Sequence, residues 1–385
     1  MSRAIAILGS TGSIGRNTLD VVDRLGGAFQ VTALAAGSNL AVLAAQVERY
    51  RPALVSVGAR RDAERIRGLA RRSGSRVVWG AEGAIEVARA EGVDTVVSAI
   101  TGMSGFAPTL EAVRAGRRVA LANKESMVVG GALLRREASL SGARIIPVDS
   151  EHSGVFQCLA GVKRRHVRKV ILTASGGPFL KTPLAELRRK TLAETLRHPR
   201  WVMGRKVTVD SATMMNKGLE LIEARWLFDL DPAELGVLVH PQSAIHALVE
   251  MKDGSLLAQL GPADMRLPIQ YALTWPERRD SGLPRLDLGA LRRLEFRPVD
   301  ERRFPLFALA RRALLAGGSL PVALNAANEV AVAAFLEGRI LFPDLHAVVA
   351  AVVESHRARP ADSIEAIRDI DKDARREARR ALPPR

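Results

Sequence analysis

The sequence predicts an α/β protein whose N-terminal part is a Rossmann-like, doubly wound parallel sheet. Short β-branched runs alternate with stretches of helical periodicity through residues 1–150, and this alternation is typical of parallel sheets covered by helices. A glycine-rich turn joins the first run to the first helical stretch, as in nucleotide-binding βαβ units. From Glu301 onward the apolar spacing is helical, which predicts a C-terminal helical domain.

The predicted strands of the N-terminal sheet lie at 4–8, 30–35, 53–57, 76–79, 95–100, 118–122 and 144–148. Apolar residues at helical spacing separate them, for example Ile14, Val21 and Leu25 between the first two. After Asp149 the pattern changes to mixed segments, which favours an α+β domain. Prolines among charged residues then predict an extended linker. We therefore expect domains at 1–149, 150–274 and 301–385, with a linker at 275–300.

Composition limits the class of protein. The chain has 385 residues, of which 47% are hydrophobic and 25% charged, as in ordinary globular proteins. No apolar run approaches the roughly 18 residues that a membrane span needs, and the N-terminal apolar stretch is too short for a signal peptide. The single cysteine, Cys158, cannot form an intramolecular disulfide, which suits a reducing compartment. These features predict a cytoplasmic protein with no membrane partner.

The formal net charge of +16 indicates an anionic partner. The basic residues are dispersed in pairs along the chain, such as Arg135-Arg136 and Arg311-Arg312. Aromatic residues make up only 4% of the chain, too few for a platform on which nucleic-acid bases stack. We therefore expect a small phosphorylated ligand and no nucleic acid.

The glycine turn Gly9-Ser10-Thr11-Gly12-Ser13-Ile14-Gly15 predicts a dinucleotide site. Glycines let the backbone approach a pyrophosphate, and the amides at the helix N-terminus balance its charge. The spacing is GxxGxxG and departs from the standard GxGxxG, so a tight turn that merely packs helix on strand is the alternative. The second strand ends in Ala36-Gly37-Ser38-Asn39 without an acidic residue. The absence of that carboxylate leaves room for a 2′-phosphate and favours NADP over NAD.

Two carboxylates follow the seventh predicted strand. Asp149 and Glu151 stand at i and i+2, and an extended backbone would place both side chains on one side. Hard oxygen donors suit Mg²⁺ or Mn²⁺ better than zinc. A solvated strand end or a helix cap explains the pair equally well, so a third donor is needed. Glu220 is the candidate, in a segment that also carries the phosphate-binding residue types Ser211, Asn216 and Lys217. A structural helix with polar groups on its surface explains this segment equally well.

Three further polar segments resemble ligand-binding loops. Asn123, Lys124 and Glu125 follow the sixth predicted strand, where open α/β sheets bind ligands. The segment 173–179 is a second glycine-rich turn that would close on a ligand. The segment 198–204 includes Trp201 and predicts a cover whose indole serves as a lid, although a buried tryptophan is the commoner role.

Together these segments resemble the 1-deoxy-D-xylulose 5-phosphate reductoisomerase family of the non-mevalonate isoprenoid pathway. The match extends over nearly the whole chain, in the order of the family's motifs. They are GSTGSIG at 9–15, LANKES at 121–126, PVDSEH at 147–152, SGGPF at 175–179, VDSATMMNKGLE at 209–220, HPQSAIH at 240–246 and LNAANE at 324–329.

The resemblance implies a site for NADPH, a divalent metal ion and a phosphorylated sugar in a homodimer. The implied NADPH contacts are Thr11, Gly12, Ser13, Ile14, Gly37, Ser38, Asn39, Asn123, Glu125 and Gly204. The implied metal ligands are Asp149, Glu151 and Glu220. The implied substrate contacts are Lys124, Ser150, Glu151, Ser175, His198, Ser211, Asn216, Lys217 and Glu220. Residues 150–274 become the catalytic domain, with a flap at about 175–205 that carries Trp201.

The resemblance also implies a reaction in two stages. The metal ion, as Lewis acid, promotes rearrangement of the carbon skeleton by a retro-aldol/aldol sequence or by a 1,2-shift, and NADPH then reduces the branched aldehyde to 2-C-methyl-D-erythritol 4-phosphate. Lys124 would stabilise developing oxyanion charge. The alternatives are another NADP-dependent oxidoreductase with a metal-free site and a nucleotide-binding protein without turnover.

One position departs from many relatives. They carry lysine or arginine where this chain has Ser38, beside the adenosine phosphate. A serine hydroxyl still donates to a 2′-phosphate, so NADP stays favoured. Arg60 and Arg61, just after the third strand, are alternative cations for that phosphate.

Overall fold

The computed structural model describes residues 2–384 and divides into two compact units. Unit 1 comprises residues up to Ser126 together with Leu133–Ser153 and Asp264–Leu283. Unit 2 comprises Met127–Ala132, Gly154–Ala263 and the remainder from Pro284 onward. Among the described residues, none of the helices combines the length and the apolar composition needed to cross a bilayer.

The strands are short and lie in two sheets. In chain order they are β1 (Arg3–Leu8), β2 (Phe29–Ala35), β3 (Leu54–Val57), β4 (Arg76–Trp79), β5 (Thr95–Ser98), β6 (Arg118–Leu121), β7 (Arg144–Pro147), β8 (Val167–Ala174), β9 (Leu235–Val239), β10 (Ile245–Met251), β11 (Leu256–Leu260) and β12 (Arg297–Pro298).

The helices fall between these strands and fill the C-terminal part of the chain. In chain order they are α1 (Ser13–Arg24), α2 (Leu40–Tyr50), α3 (Arg60–Arg72), α4 (Gly80–Ala88), α5 (Phe106–Arg114), α6 (Lys124–Ser141), α7 (Ser150–Cys158), α8 (Leu184–Leu187), α9 (Leu192–Thr195), α10 (Arg205–Ala212), α11 (Met215–Phe228), α12 (Arg266–Thr274), α13 (Leu288–Leu291), α14 (Pro305–Ala316), α15 (Leu320–Leu336), α16 (Phe342–Ser355) and α17 (Ile364–Arg380).

Unit 1 contains a seven-stranded sheet in the order β4-β3-β2-β1-β5-β6-β7. Every pairing in it is parallel, which confirms the predicted doubly wound sheet. The central strands are fully buried, as β1 shows with Ile5, Ile7 and Leu8 at 0% exposure. Burial on both faces explains why these strands read as continuous apolar runs without alternation. The order reverses at β1, and ligands of such sheets bind at that point.

Unit 2 contains a five-stranded mixed sheet in the order β11-β10-β8-β9-β12. Strand β8 pairs parallel with β9 and antiparallel with β10. One apolar core joins this sheet to the C-terminal helices, since Val170 and Leu172 of β8 belong to the same buried cluster as Ala310 of α14 and Ala327 of α15. The predicted C-terminal helices are present, and they share their core with the preceding α+β segment.

The two units do not follow the predicted domain limits. Helix α12, expected within the domain at 150–274, packs in unit 1 against α1, where Arg266 donates to Asp20 at 3.0 Å. The predicted linker at 275–300 is not wholly extended, because it contains α13 and β12, and β12 pairs with β9. Contacts between residues far apart in the chain decide both features, and local sequence patterns carry no information about them.

Candidate active site

The glycine turn after β1, where the sequence predicts a pyrophosphate site, is held closely against the neighbouring strands. The amides of Gly9 and Ser10 both donate to Ala35 O, at 2.8 and 2.9 Å. Gly9 has φ +88°, and a Cβ atom there would lie 2.5 Å from Ala99 O, so only glycine fits. Helix α1 starts at Ser13 with Gly12 as N-cap, no side-chain cap and no acidic residue in its first turn. The positive end of this helix is therefore not balanced by a side chain, as anion binding requires.

Gln46 of α2 supports this turn and was not among the predicted site residues. Its Nε2 atom donates to Ser10 O at 2.8 Å across 36 residues of chain, and the side chain is 6% exposed. A buried side-chain amide bonded to a loop carbonyl restrains the loop. Only the fold brings the two residues together, so no local pattern marks Gln46.

The segment after β2 holds the predicted residues Gly37, Ser38 and Asn39 at the surface. Asn39 caps α2, because its Oδ1 atom accepts from Val42 N at 3.3 Å. Gly37 O accepts from Gly58 N at 3.2 Å, so the segment after β3 runs alongside. The backbone and the serine hydroxyl remain as the groups that this segment offers to a ligand.

Asn123, Lys124 and Glu125 begin α6 at the end of β6 and are all buried. Asn123 caps the helix, with Oδ1 accepting from Ser126 N at 3.0 Å, and its Nδ2 atom donates to Glu125 at 3.2 Å. Lys124 forms an ion pair with Asp149. Lys124 is only 6% exposed, and an ion pair offsets part of the cost of burying its side chain.

The geometry expected for Asp149 and Glu151 is wrong in one respect. Strand β7 ends at Pro147 and α7 begins at Ser150, so the two carboxylates flank a helix start and do not alternate along a strand. Asp149 O accepts from Ser153 N at 2.8 Å, and Asp149 Oδ1 accepts from Ser150 N at 3.1 Å. Capping of the helix start overrides the extended continuation. Ser150 donates to Glu151 Oε2 at 2.5 Å, which ties the second carboxylate to the same turn.

Unit 2 brings the predicted phosphate-binding segments together. Ser175 follows β8, and its Oγ atom accepts from Gly177 N at 3.2 Å. Gly177 has φ +68°, and a Cβ atom there would lie 2.6 Å from Ser211 O. The close approach of these backbones brings the turn that carries Ser175 beside the end of α10 that carries Ser211, although the two serines are 36 positions apart in the sequence.

His198 links this turn to the predicted flap. Its Nδ1 atom accepts from the amides of Trp201 at 2.9 Å and Arg200 at 3.2 Å. The hydrogen of the neutral ring therefore resides on Nε2, which lies 3.0 Å from Ser175 Oγ and donates to it. Burial lowers the pKa of His198 to about 4, because desolvation disfavours the imidazolium form.

The start of α11 carries a tightly coupled set of polar residues. Asn216 donates to Glu220 Oε1 at 2.5 Å, and Lys217 forms an ion pair with Glu220. The side chains of Lys217 and Glu220 are 4% and 1% exposed. Glu220 stands four residues after Asn216 and three after Lys217, so both side chains reach it along the helix.

Asp210, directly before Ser211, has a role that the sequence did not indicate. Its buried carboxylate accepts from Asn328 of α15 at 2.8 Å and pairs with Lys206 at 2.8 Å. These contacts fix the C-terminal end of α10, and with it Ser211. Both residues lie inside the motifs at 209–220 and 324–329, but their pairing is visible only in the fold.

The predicted flap contains the short helices α8 and α9 and ends at Gly204, which is the N-cap of α10. Trp201 is partly buried, and its ring lies 6.2 Å from that of His246. Val202 beside it is 97% exposed. An exposed valine next to a tethered tryptophan suits a segment that contacts a ligand, whereas a packed loop would bury both.

Comparisons with known proteins agree over the full chain. Three family models match, described as 1-deoxy-D-xylulose 5-phosphate reductoisomerase at residues 5–131 and as its C-terminal domains at 145–228 and 260–377. The 1-deoxy-D-xylulose 5-phosphate reductoisomerase of Chlorobium chlorochromatii is 50% identical over 99% of this chain and 100% of its own length. That of Heliobacterium modesticaldum is 52% identical over 98% of this chain and 96% of its own.

Two solved structures are similar as well. A crystal structure of DOX-P reductoisomerase in complex with NADPH, fosmidomycin and magnesium is 39% identical, with a TM-score of 0.95, 99% of this chain and 98% of that chain being covered. The enzyme from Zymomonas mobilis in complex with NADPH is 40% identical, with a TM-score of 0.93 and full coverage of both chains.

Proposed function

The chain belongs to the 1-deoxy-D-xylulose 5-phosphate reductoisomerase family, and from that membership we propose its reaction and the residues that perform it. It is an NADP-dependent oxidoreductase that converts 1-deoxy-D-xylulose 5-phosphate to 2-C-methyl-D-erythritol 4-phosphate with NADPH and a divalent metal ion. The observation that carries this conclusion is the full-length match to a reductoisomerase bound to NADPH, fosmidomycin and magnesium.

The NADPH site is assigned to the turns at the carboxyl ends of β1, β2 and β6. The cradle at Gly9, where a Cβ atom would meet Ala99 O, fits a pyrophosphate that the backbone must approach closely. Beyond it the assignment covers Thr11, Gly12, Ser13, Ile14, Gly37, Ser38, Asn39, Asn123, Glu125 and Gly204. Those that belong to unit 1 follow strands at or near β1, where the strand order of the sheet reverses. Open α/β sheets bind their ligands at that point, which supports the assignment.

The metal ion is assigned to Asp149, Glu151 and Glu220. All three are carboxylates, the hard oxygen donors that Mg²⁺ and Mn²⁺ prefer. Two of them already have a buried lysine partner, Lys124 for Asp149 and Lys217 for Glu220. Magnesium accompanies the relative described above, and manganese is proposed on donor chemistry alone.

The substrate-binding residues are assigned in two groups, one for the phosphate and one for the remainder of the substrate. Its phosphate is held by Ser175, Ser211, Asn216 and Lys217, in which hydroxyl, amide and ammonium donors are combined. Contacts to the remainder of the substrate are assigned to Lys124, Ser150, Glu151, His198 and Glu220. The turn after Ser175 lies against the end of α10 at Ser211, and this proximity supports a shared anion.

When bound, the metal ion supplies Lewis-acid stabilisation to the substrate oxygens, and NADPH supplies the hydride. The buried ammonium of Lys124 stabilises negative charge that develops on a substrate oxygen. His198 donates from Nε2 to Ser175 and accepts at Nδ1 from Trp201, and so connects the phosphate turn to the flap. The flap at about 175–205 would exclude water when it closes over the substrate.

The functional division of the chain is proposed as 1–149 for NADPH binding, 150–274 for catalysis, and 301–385 as a helical support. A homodimer is proposed on the edge of the second sheet, where β11 is an outer strand with Leu256 54% and Leu257 38% exposed. Unpaired edge strands with apolar side chains associate readily. The cytoplasmic location stays a prediction from the single cysteine.

The function is tested by the consumption of NADPH in the presence of 1-deoxy-D-xylulose 5-phosphate, followed by its absorbance. We expect consumption that requires the substrate, stops with a chelator and returns with Mg²⁺ or Mn²⁺. Consumption that persists in the chelator would favour an oxidoreductase with a metal-free site. An absence of consumption under all conditions, despite NADPH binding, would favour a nucleotide-binding protein without turnover.

A further inference from the structure

The carboxyl ends of β2 and β3 lie side by side in unit 1. Ala36 N donates to Ser56 O at 2.9 Å, and Gly58 N donates to Gly37 O at 3.2 Å. A Cβ atom at Gly58 would lie 3.5 Å from the Gly37 backbone. The surface segment at 36–39, which holds Ser38, therefore runs directly beside the segment that leads from Gly58 into α3.

This corner of unit 1 carries positive charge and no exposed carboxylate within the two turns themselves. Neither 36–40 nor 57–61 contains an acidic residue, while Arg60 and Arg61 open α3. The acidic residue that follows, Asp62, is 6% exposed and pairs with Arg65 at 3.7 Å. The two turns therefore present no acidic side chain of their own to an anion beside Ser38, and the helix that follows the second turn begins with two arginines.

The guanidinium of Arg60 lies against the indole of Trp79 at the end of β4, the strand on the far side of β3 from β2. Its guanidinium carbon lies 5.8 Å from the ring centroid, and Trp79 ends β4 with 42% exposure. The same guanidinium pairs with Glu64 at 3.4 Å, with side chains 74% and 54% exposed. A pair this exposed contributes little, so a phosphate dianion would displace Glu64 at small cost.

We propose that Arg60 binds the 2′-phosphate of NADPH in this chain and thereby sets its preference over NADH. The proposal rests on the proposed NADPH site and adds a residue to it. Ser38 offers one neutral hydroxyl, whereas a guanidinium offers paired charge-assisted hydrogen bonds in the geometry of a phosphate. The positive charge that distinguishes NADPH from NADH would then lie at the start of α3 in this chain, whereas many relatives carry it at the position of Ser38, after β2.

The test measures binding and does not depend on turnover. Isothermal titration calorimetry, without substrate or metal, gives the Kd values of three ligands: NADPH, NADH and adenosine 2′,5′-bisphosphate. Each Kd is measured for the wild type and for Arg60→Gln. We expect Arg60→Gln to bind NADPH and the bisphosphate roughly tenfold to a hundredfold more weakly, the range of a charge-assisted contact, and to bind NADH as the wild type does. Arg60→Lys keeps the positive charge but lacks the paired N–H donors of the guanidinium, so its affinity for NADPH should lie between those of the wild type and Arg60→Gln.

Two other arginines of α3 complete the test, Arg67 as a matched control and Arg61 as the competing candidate. Arg67→Gln removes an exposed charge further along α3 and should leave all three Kd values unchanged. A selective loss of NADPH affinity in Arg61→Gln with none in Arg60→Gln would overturn the assignment. An equal loss of NADPH and NADH affinity in Arg60→Gln would also overturn it, because the contact would then not be to the 2′-phosphate.

Failure of the proposed function is recognised separately. It would appear as wild-type protein that binds NADPH yet does not consume it with 1-deoxy-D-xylulose 5-phosphate. The comparison of Arg60→Gln with wild type in NADPH and bisphosphate binding is unaffected by that outcome, since neither titration contains substrate.

Discussion

At the residue scale, the proposed metal and phosphate contacts include charged side chains that are buried next to each other. Glu220 is among the least exposed carboxylates of the described chain and is bonded to Lys217 and Asn216. A buried ion pair contributes little to stability, because the desolvation of both groups offsets their attraction. The proposed use of Glu220 as a metal ligand is tested by a variant of equal size.

Glu220→Gln removes one negative charge and keeps the size of the side chain. We expect metal affinity to fall and turnover to drop by several orders of magnitude, because Lewis-acid stabilisation is worth several kcal/mol and each 1.36 kcal/mol is about tenfold. NADPH affinity should be unchanged. Turnover measured against Mg²⁺ and Mn²⁺ concentration checks this, with Glu337→Gln at an exposed ion pair as control. An active Glu220→Gln protein with wild-type metal dependence would remove Glu220 from the site.

His198 provides a pH prediction. Its pKa in the folded protein is lowered to about 4 by burial, against about 6.5 in an unfolded chain. Between these values the unfolded state binds more protons, so His198 makes the free energy of unfolding rise with pH from about 4 to 6.5 and adds no slope above that. Histidine resonances followed by NMR, with His198→Gln for assignment, should show His198 neutral through pH 6.5. A midpoint near 6.5 would contradict the buried, neutral ring.

At this scale the sequence predicted the types of site residue but not their supports. Glu220 and Lys217 are predicted as site residues because they stand in a segment rich in phosphate-binding residue types. Gln46 and Asn328 act on residues 36 and 118 positions away, and nothing in their neighbouring residues indicates it. Contacts of that range follow from the packing of elements, which single-sequence patterns do not encode.

At the scale of elements, helix ends position most of the site. Gly12 precedes α1, Asn123 caps α6 and Asp149 precedes α7. Each strand-to-helix junction places polar groups at the same edge of the parallel sheet. The sequence indicated the junctions through the change from strand to helix periodicity. It did not indicate that α7 begins at once after Asp149, because i and i+2 spacing fits a strand and a helix start equally.

Asn328→Ala tests whether α15 positions the end of α10. The change leaves the buried Asp210 without one of its donors, and a hydrogen bond to a charged group is worth about 1.5–3 kcal/mol. We expect the free energy of unfolding in urea to fall by that amount. The KM for the substrate should rise because Ser211 follows Asp210, while NADPH affinity stays constant. Unchanged stability and KM would show that Lys206 alone suffices to hold Asp210.

At the scale of the whole molecule, the two edges of the second sheet differ in their ability to pair with another strand. The outer strand β12 of the second sheet has two residues, too few to extend the sheet. The other outer strand, β11, has five residues, and its first three are exposed. Each chain carries a formal net charge of +16, so association of two copies must gain more from apolar burial than it loses to repulsion.

The final prediction concerns this edge. Leu256→Lys places a charge on β11, a residue type that natural edge strands use to prevent pairing. We expect the wild type to be a dimer by light scattering, held more tightly as salt screens the repulsion, and Leu256→Lys to be a monomer. NADPH affinity should persist in the monomer, because the assigned cofactor residues of unit 1 do not include β11. Leu315→Lys, a change of equal chemistry at a 65% exposed position on α14, should remain dimeric. A dimeric Leu256→Lys protein beside a monomeric Leu315→Lys protein would place the interface on the helices and not on the sheet edge.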